Sequence, residues 1–155
     1  MIKSIRKLVI IPAYNEGMNL PGTVNDIREN APDFDILVIN DGSVDDSEQI
    51  LKSLRIKYLS HAVNLGIGGA VQSGYKYALK QDYDIAVQMD ADGQHPSEYL
   101  SMMLDKFISE KSDMIIGSRY ILNDGFQSTF MRRIGIRYFS WLICLITGVR
   151  ITDPI

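Results

Sequence analysis

The chain has 155 residues, of which 46% are hydrophobic and 23% are charged, so it can form one domain with a proper core but not two. Sixteen basic and nineteen acidic residues give a formal charge of −3, and this balance predicts no nucleic-acid partner. The single cysteine, Cys144, excludes an internal disulfide and is expected to be a buried thiol.

Short β-branched runs alternate with longer amphipathic segments along the chain. Strands are predicted at residues 8–11, 36–39, 56–59, 85–89 and 114–117. Helices are predicted after Asn19, after Asp45 or Asp46, from about Gly69 to Leu79, and from Ser97. This alternation predicts an α/β fold, a mostly parallel sheet with helices on both faces. Ligands bind such sheets at the carboxyl ends of the strands, so the residues that follow each strand are the candidates for function.

Two carboxylates follow the fourth predicted strand, in the segment Asp90-Ala91-Asp92. Carboxylate and amide oxygens suit Mg²⁺ or Mn²⁺, and Gln94 offers a further oxygen, so this segment is a candidate metal site. The alternative is an ordinary polar turn in which Asp92 and Ser97 cap helices.

The other strand ends each allow a functional and a structural interpretation. Asp41 either caps a helix or accepts hydrogen bonds from a base or a ribose. The glycine-rich segment 64–70 either cradles a phosphate or packs tightly in a turn. Arg119 either reaches a diphosphate or lies on the surface, and Tyr14 either stacks on a base or packs against the strand. His61 has no evident partner.

Together these segments resemble the glycosyltransferase family 2 domain with its nucleotide-diphospho-sugar transferase (GT-A) fold. The likeness is greatest to the group of dolichol-phosphate mannosyltransferases and polyprenyl-phosphate glycosyltransferases. It spans roughly residues 5–120, and five motifs in family order carry it: Ile10-Ile11-Pro12-Ala13-Tyr14-Asn15-Glu16, Val38-Ile39-Asn40-Asp41-Gly42-Ser43, Asn64-Leu65-Gly66-Ile67-Gly68-Gly69-Ala70, Met89-Asp90-Ala91-Asp92-Gly93-Gln94-His95-Pro96 and Gly117-Ser118-Arg119-Tyr120.

The resemblance implies a role for each matching position on the nucleotide. Pro12, Tyr14 and Glu16 would contact the base and the ribose. Ile39 would line the base pocket, and Asp41 would bind the base. We therefore expect a bound nucleotide-sugar donor, with either UDP or GDP as the carrier.

The resemblance also implies which residues serve the reaction. Asp90 would hold the ribose or share the metal, with Ala91 beside the donor, and Asp92 and Gln94 would bind Mg²⁺ or Mn²⁺. Arg119 would approach the diphosphate, which makes Asp90, Asp92 and Arg119 the implied catalytic residues. The implied reaction is a metal-assisted transfer of the sugar, with inversion, to a polyprenyl or dolichyl phosphate.

The last thirty residues differ in composition from the rest. Residues 1–125 are predicted to form the nucleotide-sugar-binding core, and 126–155 a C-terminal part of the same domain. Residues 129–146 are predicted to form a basic, aromatic-rich amphipathic helix. This helix either packs in the core or contacts an anionic lipid surface. The longest apolar stretch, 139–149, has 11 residues against the roughly 20 of a membrane span. The resemblance favours membrane contact, with the chain cytoplasmic at the inner face.

Three other functions compete with this interpretation. A sugar-nucleotidyltransferase would carry a glycine-rich loop where Tyr14-Asn15-Glu16 stands, and a phosphatase of the Asp-x-Asp type would have Thr or Val in place of Gln94. The third alternative is a truncated nucleotide-binding chain, since family members continue past residue 155. Such a chain would need a homo-oligomer or a C-terminal segment to complete its site.

Overall fold

The computed structural model describes residues 5–93, 96–117 and 130–148, and in the last of these ranges the side chains of residues 135, 138–146 and 148. The chain divides into two compact units, Met1–Leu104 and Asp105–Ile155. The elements in chain order are β1 Lys7–Ala13, α1 Leu20–Asn30, β2 Phe34–Asn40, α2 Ser47–Leu54, β3 Lys57–Ser60, α3 Gly66–Lys80, β4 Ile85–Gln88, α4 Tyr99–Glu110 and α5 Phe130–Thr147.

The first unit contains a four-stranded parallel sheet in the order β3-β2-β1-β4. β1 pairs with β2 along its whole length, so that Ala13 lies opposite Asn40. On its other side β1 pairs with β4, where Ile10 lies opposite Gln88. The chain runs from β1 to β2 and β3 and then returns across the sheet to β4. The sheet therefore reverses its strand order between β1 and β4, which is where parallel sheets open a ligand crevice.

Apolar side chains of the strands alternate between the two faces of the sheet. Val9, Ile11 and Val38 face a core cluster that includes residues of α1, α2 and α4. Leu8, Ile10, Leu37 and Ile39 face α3 through Ala70 and Ala78. Gly74 of α3 lies so close to Ile10 that a Cβ atom there would overlap the isoleucine side chain. β1 is buried on both faces, as its continuous apolar run predicted. The predicted α/β fold is confirmed.

Three details differ from the sequence-based expectations. Residues 114–117 form no strand: Met114 and Ile116 are each 73% exposed, and a β-branched run becomes a strand only where a neighbour pairs with it. α3 begins at Gly66 rather than near Gly69, and α4 begins at Tyr99 rather than at Ser97. The start of α3 places most of the glycine-rich segment in the first turns of a helix, where the first backbone N–H groups have no acceptor within the helix.

In the second unit, α5 forms over almost the predicted range of 129–146. Cys144 is half-buried instead of fully buried, because it lies between exposed and half-buried positions of this helix. The exposed residues of α5 include Tyr138, Phe139 and Trp141. The ring centroids of Phe139 and Trp141 lie 5.7 Å and 6.4 Å from that of Tyr138. Within the described part of the chain, no helix is both long enough and apolar enough to span a membrane.

Candidate active site

The carboxyl ends of β2, β1 and β4 lie side by side, because the three strands are parallel neighbours. The segments beginning at Tyr14, Asp41 and Met89 therefore emerge at one edge of the sheet. The backbone N–H of Asp41 still donates to the carbonyl of Ala13 at 2.8 Å, and that of Met89 to the carbonyl of Ile10 at 3.0 Å. These bonds extend the ladders past the last strand residues and hold the three polar segments in register.

Asn15 links the loop after β1 to the loop after β2. Its backbone N–H donates to Oγ of Ser43 at 2.9 Å, and its own Oδ1 accepts from the N–H of Val44 at 2.9 Å. This reciprocal pair requires Asn15 to adopt a φ of 56°, in the left-handed region that asparagine tolerates better than most residues. Gly17 N–H adds a bond of 3.1 Å to Oδ2 of Asp45. The two loops consequently form one hydrogen-bonded surface.

Asp41 is buried at this edge, with 3% of its surface exposed. Its Oδ1 accepts from the backbone N–H of Leu65 at 2.9 Å and lies 2.6 Å from Nδ1 of His61. Burial alone raises the pKa of Asp41, but the hydrogen bonds from His61 and from the N–H groups of Leu65 and Gly66 outweigh it. The pKa of this carboxyl therefore lies below its usual value of 3.8, and Asp41 is an anion at neutral pH.

Gly42 allows the β2 loop to pass close to the segment before α3. Its φ is +70°, and a Cβ atom would lie 2.7 Å from both the nitrogen of Asn64 and the carbonyl carbon of Val63. Only glycine fits this position without moving one of the two backbones. The close approach brings the Leu65 N–H to the carboxylate of Asp41.

The segment after β4 is held from the other direction, by α1. The hydroxyl of Thr23, which is 3% exposed, donates to the carbonyl of Ala91 at 2.8 Å. Three residues along the helix, Asp26 accepts from the backbone N–H of Ser97 at 3.0 Å, and the Ser97 hydroxyl donates to the carbonyl of Asp26 at 2.8 Å. Hydrogen bonding by Ser97 lowers the pKa of Asp26 below 3.8, against the opposing effect of burial. One face of α1 thus fixes both ends of the segment 91–97.

A cavity of about 330 Å³ lies between α1 and this segment. Its lining combines the two residues before α1, residues of α1 and residues that follow β4: Met18, Asn19, Gly22, Thr23, Asp26, Met89, Asp92 and Gly93. Asp92 is exposed and Asp90 is half-buried, so the two carboxylates bracket the buried Ala91.

The residues after β4 fit a hard divalent cation by the chemistry of their donors. Mg²⁺ is usually bound through one or two carboxylates and completed by waters and substrate phosphates, and Asp90 and Asp92 supply such a pair. Among the described residues, no group of three or more His, Cys, Asp or Glu side chains forms a complete protein cage for a metal. A cation held by this carboxylate pair would take remaining ligands from water and from substrate phosphates, as Mg²⁺ commonly does.

Comparison with known proteins identifies the family. The model of the family described as "Glycosyl transferase family 2" matches residues 8–148, which is most of the chain. The chain belongs to glycosyltransferase family 2.

Similar family 2 proteins have been named in bacteria and archaea. Polyprenol monophosphomannose synthase of Mycolicibacterium smegmatis is 38% identical over 122 residues, which cover 75% of this chain and 46% of that protein. A UDP-N-acetylglucosamine–dolichyl-phosphate N-acetylglucosaminyltransferase of Methanococcus voltae is 29% identical, covering 94% of this chain and 64% of its own length. The chain thus spans about half the length of these relatives.

Solved structures share the fold at lower identity. S. aureus TarS (residues 1–349) superposes with a TM-score of 0.60 at 22% identity, over 80% of this chain and 39% of that one. Mannosyltransferase PcManGT from Pyrobaculum calidifontis, in complex with GDP-Man and Mn²⁺, gives 0.58 at 19% identity, over 69% of this chain and 33% of its own. These likenesses confirm the GT-A fold.

The residues implied by the family resemblance differ in their accessibility. Tyr14 is 46% exposed, and Glu16 is half-buried with its Oε2 accepting from Nδ2 of Asn19 at 2.7 Å. Pro12 and Ile39 are buried, and the side chain of Ile39 lies in the core under α3. The nucleotide-binding roles of all four stay predictions. Gln94 and Arg119 lie outside the described residues.

Two features of the site were absent from the sequence-based analysis. His61 has partners on both ring nitrogens, Asp41 on one and Ser73 on the other, contrary to the expectation that it has none. Thr23 and Asp26 support the segment after β4 from a helix some seventy residues earlier in the chain. The sequence carried a weak sign of the second feature, since Thr23 is a polar residue among the buried positions of α1.

Proposed function

We propose that this chain binds a UDP- or GDP-sugar and transfers its sugar to a polyprenyl or dolichyl phosphate. The observation that carries the proposal is the arrangement of the carboxyl edge, where the anionic Asp41 follows β2 and the Asp90/Asp92 pair follows β4, with β1 between them. A nucleotide diphosphate needs both kinds of group, an acceptor for its base and a counter-charge for its phosphates. The names of the relatives, which include lipid-phosphate glycosyltransferases, support the choice of acceptor.

In this proposal the nucleotide lies across the edge from β2 to β4. Asp41 accepts a hydrogen bond from a ring N–H of the base, and the exposed ring of Tyr14 covers the base or the ribose. Asp90 and Asp92 would hold Mg²⁺ or Mn²⁺, which neutralises charge on the diphosphate when it is bound. Arg119 is proposed to approach the same diphosphate.

The transfer itself is a single displacement. A phosphate oxygen of the lipid acceptor attacks the anomeric carbon, the bond from that carbon to the diphosphate oxygen breaks, and the nucleoside diphosphate leaves with the electron pair. Attack opposite the leaving group inverts the anomeric carbon. A phosphate acceptor is already an anion at neutral pH, so the reaction needs no side chain to remove a proton.

We further propose that α5 brings the protein to the membrane surface at the cytoplasmic face. Tyr138, Trp141 and Leu145 follow one another at helical spacing, and each is more than half exposed. Aromatic side chains of this kind favour the interface between lipid headgroups and acyl chains. Co-sedimentation with anionic lipid vesicles at low salt tests this, and a chain that stays in the supernatant contradicts it.

Titration calorimetry with UDP and GDP, each with Mn²⁺ and with EDTA, tests donor binding. We expect one of the two to bind, with affinity at least about tenfold higher in Mn²⁺ because the cation links the carboxylates to the phosphates. Asp92→Asn should abolish that enhancement and leave thermal unfolding unchanged. Asp105→Asn, at an exposed position of α4, is the matched control and should bind like the wild type. Equal affinity in Mn²⁺ and EDTA would overturn the proposed site.

A transfer assay with a radiolabelled donor and undecaprenyl phosphate then tests the reaction. Labelled lipid in the organic phase supports the proposal. Binding of the donor without any transfer would favour the alternative of a nucleotide-binding chain whose site is completed by a second copy or by further residues.

A further inference from the structure

Asp41, His61 and Ser73 form a continuous chain of hydrogen bonds beneath the carboxyl edge. Nδ1 of His61 lies 2.6 Å from Oδ1 of Asp41, and Nε2 of the same ring lies 2.9 Å from Oγ of Ser73. Oγ of Ser73 also lies 3.0 Å from the carbonyl oxygen of Gly69, a second acceptor for its single hydrogen. The side chains of His61 and Asp41 are 14% and 4% exposed, so the contact between them is shielded from water. These hydrogen bonds therefore join the end of β2 to the end of β3 and to α3.

Hydrogen-bond accounting fixes which nitrogen of His61 carries a proton. Asp41 is an anion, since its pKa lies below 3.8, and a carboxylate only accepts hydrogen bonds. The hydrogen in the 2.6 Å contact must then come from Nδ1 of His61. This holds whether the Ser73 hydroxyl donates to Nε2 or accepts from it. In either arrangement the imidazole presents Nδ1–H to Asp41.

The order Asp-His-Ser also occurs in hydrolases that use serine as a nucleophile, but the surroundings here do not fit that chemistry. Ser73 lies in the middle of α3, and its Oγ is within hydrogen-bonding distance of the carbonyl of Gly69 four residues earlier. Backbone N–H groups within a helix are used by the helix itself, so none is available there to stabilise an oxyanion. We therefore interpret these hydrogen bonds by their effect on the carboxylate of Asp41.

We propose that His61 is a positioning residue that makes Asp41 selective for a base with a ring N–H. This inference rests on the proposed function, in which Asp41 receives the base. His61 and the N–H of Leu65 both bond to Oδ1, which fixes the plane of the carboxylate and keeps it an anion. A carboxylate offers about four acceptor positions, so it can accept a further N–H from a ligand.

The negative charge of Asp41 determines which bases it can bind. Uracil and guanine each carry a ring N–H that can donate to the carboxylate. Cytosine and adenine present a bare ring nitrogen at the corresponding edge, and two acceptors repel one another. His61 would thus favour uridine and guanosine diphosphates over cytidine diphosphate, because it prevents Asp41 from rotating away or taking up a proton.

Nuclear magnetic resonance of ¹⁵N-histidine in the free protein tests the geometry without any nucleotide. We expect a protonated Nδ1 with a strongly deshielded proton that Asp41→Asn shifts upfield. A neutral ring protonated only on Nε2 would overturn the inference, and this result would not bear on donor binding.

Calorimetry with UDP, GDP and CDP in Mn²⁺ tests the consequence for selectivity. His61→Leu removes the donor at similar volume and should weaken the preferred nucleotide about 10-fold to 100-fold while leaving CDP little changed. His61→Asn keeps an amide N–H near the Nδ1 position and should recover most of that loss. Ser73→Ala leaves the His61 ring hydrogen-bonded to Asp41, so its affinity for the preferred nucleotide should fall no more than a few-fold.

The two proposals fail in different ways. If the wild type binds neither UDP nor GDP, the proposed function is wrong. If it binds one of them and His61→Leu remains folded with the same affinity and the same preference over CDP, the role of His61 is wrong. Should His61→Leu unfold, the comparison of His61→Asn with the wild type decides, because restored selectivity requires the N–H and not the imidazole ring.

Discussion

The two sides of the carboxyl edge are built differently. On the β2 side (Asp41, Gly42, Ser43 and His61), side chains and backbone groups from three successive loops bond directly to one another. On the β4 side (residues 90–93), α1 supports the loop through the hydroxyl of Thr23, which donates to the carbonyl of Ala91. The β2 side is thus preorganised for a neutral, shape-defined group such as a base. The β4 side presents an exposed carboxylate, Asp92, for a charge that the ligand brings.

Alanine at Gly42 and at Gly93 compares the two sides directly. Both glycines have φ near +70°, but a Cβ at Gly42 would overlap backbone atoms at 2.7 Å, whereas the nearest atom at Gly93 is Oγ1 of Thr23 at 3.9 Å. We expect Gly42→Ala to lower the free energy of unfolding by about 2–4 kcal/mol and Gly93→Ala by about 1–2 kcal/mol, the cost of the left-handed conformation alone. Urea unfolding measures both, and equal losses would mean that the β2 side is not tightly packed.

Substitution of Thr23 tests whether α1 positions the β4 side. Thr23→Val leaves the buried carbonyl of Ala91 without its donor, which should cost about 1–3 kcal/mol and reduce the Mn²⁺-dependent gain in nucleotide affinity. Thr23→Ser keeps the hydroxyl and is the control. Calorimetry with and without Mn²⁺ separates the effects, since binding in EDTA should stay unchanged. If Thr23→Val and Thr23→Ser show the same Mn²⁺-dependent gain in affinity, the hydroxyl has no positioning role.

The smallest expected difference between the β2 and β4 sides is in their contribution to stability at acid pH. The pKa of Asp41 on the β2 side, and that of Asp26 beneath the β4 side, both lie below the usual 3.8. Each carboxylate therefore stabilises the fold above pH 3.8, and this contribution is lost as the pH falls through its folded-state pKa. Asp41→Asn and Asp26→Asn should each flatten the fall in stability below pH 4. A variant whose acid unfolding matches that of the wild type would show that its carboxyl does not contribute.

The fold was predictable because its signals are local. Continuous apolar runs marked β1 and β2, and the polar residues after each strand marked the edge where they meet. The same reasoning failed for residues 114–117, where an apolar run of the right composition pairs with nothing among the described residues and stays exposed. Composition predicts the capacity to pair, whereas pairing depends on which edge a neighbour offers.

The contacts that support the site were not predictable, because they join positions far apart in the sequence. His61 meets Asp41 only because β3 lies beside β2, which brings the residues after Ser60 and Asn40 together. Thr23 meets Ala91 only because β4 adds to the far side of β1, which brings the segment after β4 to α1. A hydroxyl or an imidazole has no sequence signature for its partner, so the order of strands must be known first.

The strand order also bears on how the chain assembles. Val9 pairs with Ile36 on β2, 27 residues away, and with Val87 on β4, 78 residues away. Closing the longer loop costs about 1 kcal/mol more in chain entropy by the logarithmic dependence on loop length. A ribosome delivers residues from the N-terminus, so the pocket around Asp41 is complete in sequence well before Asp90 and Asp92 are synthesised. Synthesis from the N-terminus thus allows β1, β2 and β3 to pair before β4, the strand that precedes the acidic pair, leaves the ribosome.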